Sequence, residues 1–289
     1  MNSETAKKLI ELNQNSYSQI AKVFSDSRNF PWHEIKNVVR KYVKPCDKIL
    51  DLGCGNGRLL KSLEKLKNFS YTGLDNCSSL IEKAQAIFLS SDISCSSFPN
   101  SLLSFPRDQI CQWQIERESR NIIFINDNIL NLDQFNSNEF DIIFMMASFH
   151  HIPSQELREK LLQDIKRILK PNGFLIMTNW NLWQIGAKKN VWTSLLSSLL
   201  SLLSSSRKRG SRLINTRSQI RSEMAIKDII TLWQNQFPLY YHAFTKRELK
   251  KLLQKTNFEV LENYYVKQGQ KARWWNGYNI LTVAKKIIV

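Results

Sequence analysis

The chain has 289 residues, 43% of them hydrophobic, and a formal net charge of +16 at neutral pH. That length and apolar content suit one large domain with additions and exclude wholesale disorder. The charge points to a polyanionic partner, either nucleic acid or an anionic membrane surface, with simple solubility as the bland alternative.

The five cysteines, Cys46, Cys54, Cys77, Cys95 and Cys111, include no CxxC pair. A disulfide framework or a cysteine-based zinc site is therefore not expected, and a reducing compartment is. No metal ligand set is apparent. Residues 1–15 are polar and have no apolar run of the signal-peptide kind. No stretch reaches the roughly 18 apolar residues of a membrane span, so a cytoplasmic protein without a membrane partner is expected.

In chain order, residues 1–45 read as an N-terminal helical cap. KILDL at 48–52 is a short apolar run ending in a glycine loop, the pattern of a buried strand. Leu59, Leu60, Leu63 and Leu66 follow at helical spacing. A second strand is expected over 69–75, with Ser78 placed to cap a helix over 79–89. Residues 90–120 are rich in serine, contain Pro99 and Pro106, and read as a long surface loop or small subdomain. NIIFIN at 121–126 and FDIIFMMA at 140–147 are the third and fourth strands. A helix over 155–169 stops before the turn Pro171-Asn172-Gly173, after which the fifth strand runs over 173–180. Residues 185–237 form a basic insertion that includes Arg207, Lys208 and Arg209. Between residues 186 and 251 there are 13 Lys+Arg against 3 Asp+Glu. Two last strands are expected over 258–266 and 278–284. The strand–helix alternation predicts an α/β fold, a doubly wound, mostly parallel sheet. The expected divisions are a cap over 1–45 and a core over 46–184 carrying the 90–120 insertion. A basic substrate-binding insertion follows over 185–237, then a C-terminal helix and the last two strands over 238–289.

A strand, a glycine-rich loop and a helix bind nucleotide-like ligands at the carboxyl edge of a sheet. Gly53, Gly55 and Gly57, with Cys54 and Asn56 between them, allow tight turning and close approach of backbone N–H groups. The spacing is GxGxG preceded by Asp51, unlike the GxGxxG that favours a pyrophosphate. An acid at Asp51 suits an ammonium group. Asp75, followed by Asn76, lies 18 residues past Gly57 and is placed to accept two ribose hydroxyls. After the third strand, Asp127 or Asn128 could bond an adenine amine, with Ile129 against the ring. Ala147 closes the fourth strand near the same edge.

The set DLGCGNG, GLDNCS, FDIIFMMASFHHI and LKPNG resembles the class I methyltransferases, in that family's order, over residues 46–180. The resemblance implies S-adenosylmethionine as cofactor and a Rossmann-like sheet of seven strands with the last antiparallel. Two flanking segments narrow it. YSQIAKVFSDSRNFPW at 17–32 is similar to the N-terminal segment of the tRNA wobble-uridine carboxyl methyltransferases, with Ser27 in place of the usual threonine. Tyr240-Tyr241-His242-Ala243-Phe244 with Glu248-Leu249 is similar to the motif before that family's last two strands, and His150 and His151 match its paired histidines.

That family methylates the carboxylate of 5-carboxymethyluridine at the tRNA wobble position, so tRNA is the implied partner and DNA is not. Its eukaryotic members work with a small activator subunit. Departures are the 90–120 insertion and Pro-Asn-Gly where Pro-Gly-Gly is more usual. A carboxylate needs alignment and desolvation rather than a strong base. Arg28 is the expected clamp for a carboxylate, either the substrate's or that of the cofactor's methionine end, with His150 and His151 at the reacting end. Trp32, Phe149, Trp180 and His242 are expected on the substrate wall, and Arg207, Lys208 and Arg209 on the RNA backbone. Two other readings stay open: a small-molecule or lipid/quinone methyltransferase of the same fold, in the lipid case with the basic insertion on a membrane, and a non-catalytic binder of S-adenosylmethionine or RNA.

Overall fold

The computed structural model of the protein describes residues 1–28, 30–63, 66, 68–90, 113–117, 120–184, 224–225, 227–234 and 236–287. The first helix, α1 (Ser3–Asp26), starts at Asn2, whose side chain accepts the Thr5 N–H and satisfies one of the unpaired donors of the first turn. A short 3-10 turn (His33–Ile35) and α2 (Lys36–Tyr42) lead into β1 (Lys48–Leu52). Then come α3 (Leu60–Leu63), β2 (Ser70–Asp75), α4 (Ser78–Ser90), β3 (Trp113–Arg117), β4 (Arg120–Asn126), β5 (Phe140–Met146), α5 (Gln155–Ile168) and β6 (Leu169–Trp180). The described chain resumes with β7 (Asp228–Trp233), β8 (Phe237–His242), α6 (Lys246–Lys255), β9 (Phe258–Lys267), β10 (Gln270–Ala272) and β11 (Asn279–Lys286).

Nine strands form one sheet in the order β10-β9-β11-β6-β5-β1-β2-β4-β3. Seven of them are the seven expected from the sequence. β1 pairs in parallel with β2 and β5, and β11 runs antiparallel between β6 and β9. The other two are additions at the edges. β10 pairs antiparallel with β9, and β3 pairs antiparallel with β4. Thus the end of the 90–120 stretch, read from sequence as loop or subdomain, extends the sheet instead.

Side chains alternate between two buried layers. Leu50, Leu52, Ile143 and Met145 join the α5 and α6 side, while Ile49, Ile142, Phe144 and Met146 join the α2 and α4 side. A sheet covered on both faces explains why its inner strands read as unbroken apolar runs.

Two boundaries differ from expectation. Pro171-Asn172-Gly173 does not separate helix from strand. It lies within β6, where the pairing with β5 jumps from Phe140↔Leu169 to Ile142↔Phe174. The extra residues are taken up in a bulge, with Asn172 at φ 64°. The antiparallel pair β7–β8 spans the boundary expected between residues 237 and 238, and it stands apart from the main sheet.

The β7–β8 hairpin packs on α1. Asn13 pairs with the backbone of Tyr240 in both directions, accepting its N–H at 2.7 Å and donating to its carbonyl at 3.2 Å. Ser16 donates to the Pro238 carbonyl at 2.7 Å. The cap is thereby fixed over the carboxyl ends of the central strands.

Candidate active site

β1 runs into the loop 53–57, which opens at the point where the strand order reverses between β2 and β5. The Gly53 and Cys54 N–H groups both donate to the Leu74 carbonyl, at 2.8 and 3.1 Å. Gly53 sits at φ 77°, and a Cβ there would meet the Ser148 Cβ at 2.5 Å. Only glycine satisfies both constraints. Ser148 is held against the loop by donating to the Leu52 carbonyl at 2.8 Å.

Two buried carboxylates lie at this edge. Asp51 accepts the Tyr71 hydroxyl on Oδ2 at 2.8 Å, while its Oδ1 is buried with no partner. Burial pushes its carboxyl up to about 7, against the Tyr71 hydrogen bond, and the nearby Asp75 adds to the rise. A cationic group at Oδ1 would relieve that cost. Asp75 accepts the Gly55 N–H on Oδ2 at 2.8 Å and the Cys77 N–H on Oδ1 at 2.9 Å. Burial raises its pKa and these two bonds oppose the rise. Each carboxylate oxygen keeps a lone pair for a hydroxyl. An unpaired acid beside a glycine loop, next to a second acid with spare acceptors, fits the ammonium and diol of an aminoacyl nucleoside.

One cavity joins these groups to the cap. Asp51, Gly53, Cys54, Gly55, Asn56, Asp75 and Asn76 line it from the β1 and β2 ends. Asn128, Ile129 and Ala147 line it from the β4 and β5 ends. Of the two candidates after the third expected strand, Asn128 lines the cavity and Asp127 does not. The Asp127 carboxylate turns into its own loop, accepting the Asn128 N–H and the side chains of Asn131 and Gln134. Asn56 also serves the cap, since its amide donates to the Ser25 hydroxyl at 3.1 Å.

The facing wall comes from α1 and the segment after it. Tyr17, Phe24, Arg28 and Trp32 line the cavity, with Trp180 and His151 completing it. The Arg28 guanidinium lies 4.0 Å from the Phe24 ring centroid and donates to the Ser27 hydroxyl. Among the described residues, no carboxylate lies within ion-pair distance of it. Burial lowers its pKa, and Tyr17 and Tyr241 oppose that shift; an arginine keeps its charge through such a shift. His151 is locked: its Nδ1 lies 2.9 Å from the Tyr240 carbonyl and its Nε2 2.9 Å from the Tyr17 hydroxyl. The Asn13 amide also lies 3.2 Å from Nδ1 but donates to the same Tyr240 carbonyl; the shorter contact to that carbonyl, which only accepts, favours the proton on Nδ1, with Nε2 accepting from Tyr17. Burial pulls the His151 pKa down to about 4, against the Tyr240 bond, so the ring is neutral at pH 7.

Several expected site residues lie elsewhere. Gly57 does not line the cavity. It faces α4, where a Cβ would meet the Ala84 Cβ at 3.3 Å. Phe149 is fully buried and stacks on Phe244 at 5.4 Å, so it is core and not substrate wall. His150 is also fully buried, stacked near Trp180 and Tyr241, and burial keeps it neutral. It supports Trp180 from behind. His242 is buried away from the cavity between two acids, 2.6 Å from Asp228 and 2.7 Å from Glu248. Arg207, Lys208 and Arg209 lie outside the described residues.

Sequence reasoning missed Tyr17 as a site residue, and also Arg58, whose guanidinium lies 4.2 Å from the Trp32 ring centroid. Tyr17 opens the very segment that contains Arg28 and Trp32. Its helical spacing to Phe24 was the available signal.

The methyltransferase domain family matches residues 28–263. The probable tRNA methyltransferase 9B of Homo sapiens is 26% identical over 170 residues, which is 59% of this chain and 29% of that protein. The chain thus spans about three-tenths of the length of those relatives. The tRNA (carboxymethyluridine(34)-5-O)-methyltransferase of Schizosaccharomyces pombe is 23% identical and matches along 90% of this chain and 92% of its own. Among solved structures, an S-adenosylmethionine-dependent methyltransferase of Methanosarcina mazei superposes with a TM-score of 0.58 at 19% identity, covering 87% of this chain and 98% of the other. A methyltransferase from Haloferax volcanii, solved in complex with the Trm112 activator, superposes with a TM-score of 0.52 at 14% identity, over 95% and 98% of the two chains.

Proposed function

The chain belongs to the methyltransferase domain family, and on that premise we propose that it methylates the carboxylate of 5-carboxymethyluridine at the wobble position of tRNA. S-adenosylmethionine, when bound, supplies an electrophilic methyl group on a sulfonium. The residues present fit that cofactor. The bare Asp51 Oδ1 would take its ammonium, Asp75 its ribose hydroxyls, and Asn128 with Ile129 its adenine.

The observation that carries the substrate reading is Arg28. It is a half-buried guanidinium in the same cavity as Asp51, with no protein carboxylate to neutralise it among the described residues. An anionic acceptor would supply that missing charge and be aligned by the planar fork. Trp32 and Trp180 offer aromatic faces for an extruded base. A carboxylate nucleophile needs no proton removed. A neutral His151 with both ring nitrogens already engaged agrees with this, and in this reading it positions the Tyr17 hydroxyl. The name of the Schizosaccharomyces pombe relative supports the same substrate, and that of the probable 9B relative supports tRNA.

The test is methyl transfer from labelled S-adenosylmethionine to tRNA carrying 5-carboxymethyluridine. The assay is run with and without an activator subunit of the Trm112 kind, since the Haloferax volcanii protein was solved with one. A base-labile methyl ester at the wobble nucleoside, identified by mass spectrometry, is the expected product. Label appearing only in protein, lipid or small molecules overturns the tRNA reading.

A further inference from the structure

Beside the cavity, β9 and β10 form a tight antiparallel turn, and the chain then passes through residues 273–278 into β11. This segment is ordered by its own bonds. Asn276 accepts the Arg273 N–H at 2.9 Å, the Gly277 N–H reaches the Arg273 carbonyl at 2.9 Å, and the Tyr278 N–H reaches the Val266 carbonyl at 2.9 Å.

The segment is also tied to both walls of the cavity. The buried Asn181 amide donates to the Trp274 and Gly277 carbonyls at 2.7 and 2.8 Å, and Asn181 directly follows Trp180. On the other side the Gly269 backbone abuts His33, so closely that a Cβ would meet its carbonyl oxygen at 2.8 Å. His33 directly follows Trp32.

Aromatic rings and cations pair on both faces of this sheet edge. Lys271 is registered with Val266 and shares the α2 side with Tyr264, whose ring centroid lies 5.0 Å from its Nζ. Glu262, on that side, is held by Lys41 and the Tyr42 hydroxyl, each at 2.6 Å, and also feels the Lys271 charge. Lys267 faces the other way, with its Nζ 4.9 Å from the Tyr278 ring centroid. The Arg273 guanidinium lies 5.0 Å from the Trp275 ring centroid, and Trp275 and Tyr278 are 36% and 44% exposed. Among the described residues, neither Lys267 nor Arg273 is in ion-pair distance of a carboxylate.

We propose that the 267–278 edge is a docking platform for single-stranded RNA, which stacks bases on Trp275 and Tyr278 and sets its phosphates on Lys267 and Arg273. Unpaired bases stack on exposed aromatic faces, and the intervening phosphates need cations at neighbouring positions. The Arg273–Trp275 and Lys267–Tyr278 pairs supply both, and the net charge of +16 favours a polyanion. The clamps at Asn181 and His33, next in the chain to Trp180 and Trp32, set the platform beside the cavity, where the nucleotides flanking an extruded base must lie. In that detail the inference rests on the tRNA reading above.

The experiment measures binding of full-length protein to a fluorescent oligouridine and to an anticodon stem-loop over a range of salt, beside calorimetric titration of S-adenosylmethionine. Trp275→Ala should weaken RNA binding about tenfold, and Trp275→Phe should restore most of it. Lys267→Ala with Arg273→Ala should lower the slope of log affinity against log salt by about 2. Cofactor affinity should stay unchanged in all three variants. If wild type binds RNA and the variants match it in affinity and slope, the platform is wrong while the tRNA reading stands. If wild type and variants methylate only small molecules and bind no RNA, both fall. Loss of binding in the variants together with an absence of wobble-uridine methylation keeps the platform and discards the substrate. Affinity for anionic vesicles in place of RNA, lost in Trp275→Ala, overturns the platform in favour of a membrane surface.

Discussion

Two clusters of ionisable side chains in the described residues are treated in opposite ways. At the junction of β8 and α6 every charge is answered. His242 bridges Asp228 and Glu248, the Tyr240 hydroxyl donates to Asp228 at 2.7 Å, and Lys227 reaches Glu248 at 2.6 Å. Burial raises the Glu248 carboxyl, but the bonds from His242 and Lys227 outweigh it and hold it down to about 2. At the end of β1 the reverse holds. Asp51 keeps one oxygen bare and its pKa is pushed up to about 7. Across the cavity Arg28 faces no carboxylate among the described residues. A satisfied network holds the fold together, whereas an unsatisfied pair of opposite charges, kept apart by a cavity, is arranged for a ligand.

This contrast can be broken most forcefully at His242. His242→Ala leaves the buried Asp228 and the half-buried Glu248 without their shared donor, and unfolding in urea should show a loss of about 4 kcal/mol. Cofactor affinity of the folded fraction should not change. A stable variant that has lost cofactor binding would move His242 back to the ligand side.

Asp51→Asn is the mirror experiment. It removes an unpaired charge, so the urea midpoint should hold or rise. Affinity for S-adenosylmethionine should drop by about 3 kcal/mol, roughly a hundredfold. An unchanged dissociation constant in calorimetry would deny Asp51 its ammonium. Gly53→Ala tests the loop itself. The left-handed backbone and the approach to Ser148 together should cost about 2 kcal/mol in stability, read in the same urea titration, with cofactor binding weakened alongside.

The two regions should also separate by pH. Only ionised Asp51 attracts an ammonium, so cofactor affinity should fall as pH drops through about 7, by about tenfold between pH 8 and pH 6. The Glu248 shift is a depression, so its contribution to stability is present above the usual glutamate range and is lost only as pH falls from about 4.5 toward 2. Stability and binding measured on one pH series would expose a single shared transition if the distinction is false. The smallest effect belongs to Tyr17→Phe. Losing the hydroxyl that His151 holds should cost about 1 kcal/mol in kcat/KM, with cofactor affinity kept.

Much of the cofactor side was legible from the sequence, because that chemistry is local. The loop 53–57, Asp51 and Asp75 lie within a single strand–loop–helix–strand unit, where spacing along the chain fixes spacing in space. Asp127 against Asn128 was undecided for a related reason: one residue of register decides which side chain faces the cavity, and only the turn bonding of Asp127 settles it. The substrate side was harder to read. His150, His151 and His242 look equivalent as motif histidines. Their surroundings come from strands and helices far apart in sequence, and these lock His151 at the cavity wall, bury His150 against Trp180 and hold His242 between two acids. Phe149 was misjudged for the same reason, its stacking partner Phe244 being 95 residues away.

The sequence by itself determined the seven inner strands, the doubly covered sheet and the glycine loop with its two acids, because hydrophobic period and turn chemistry act over a few residues. The tertiary structure alone decided the two added edge strands, the absorption of Pro171-Asn172-Gly173 into β6, and the seating of α1 on β8. It also decided which buried charges are answered and which are left open. That choice depends on the burial and partners contributed by distant segments, and those exist only once the chain has folded.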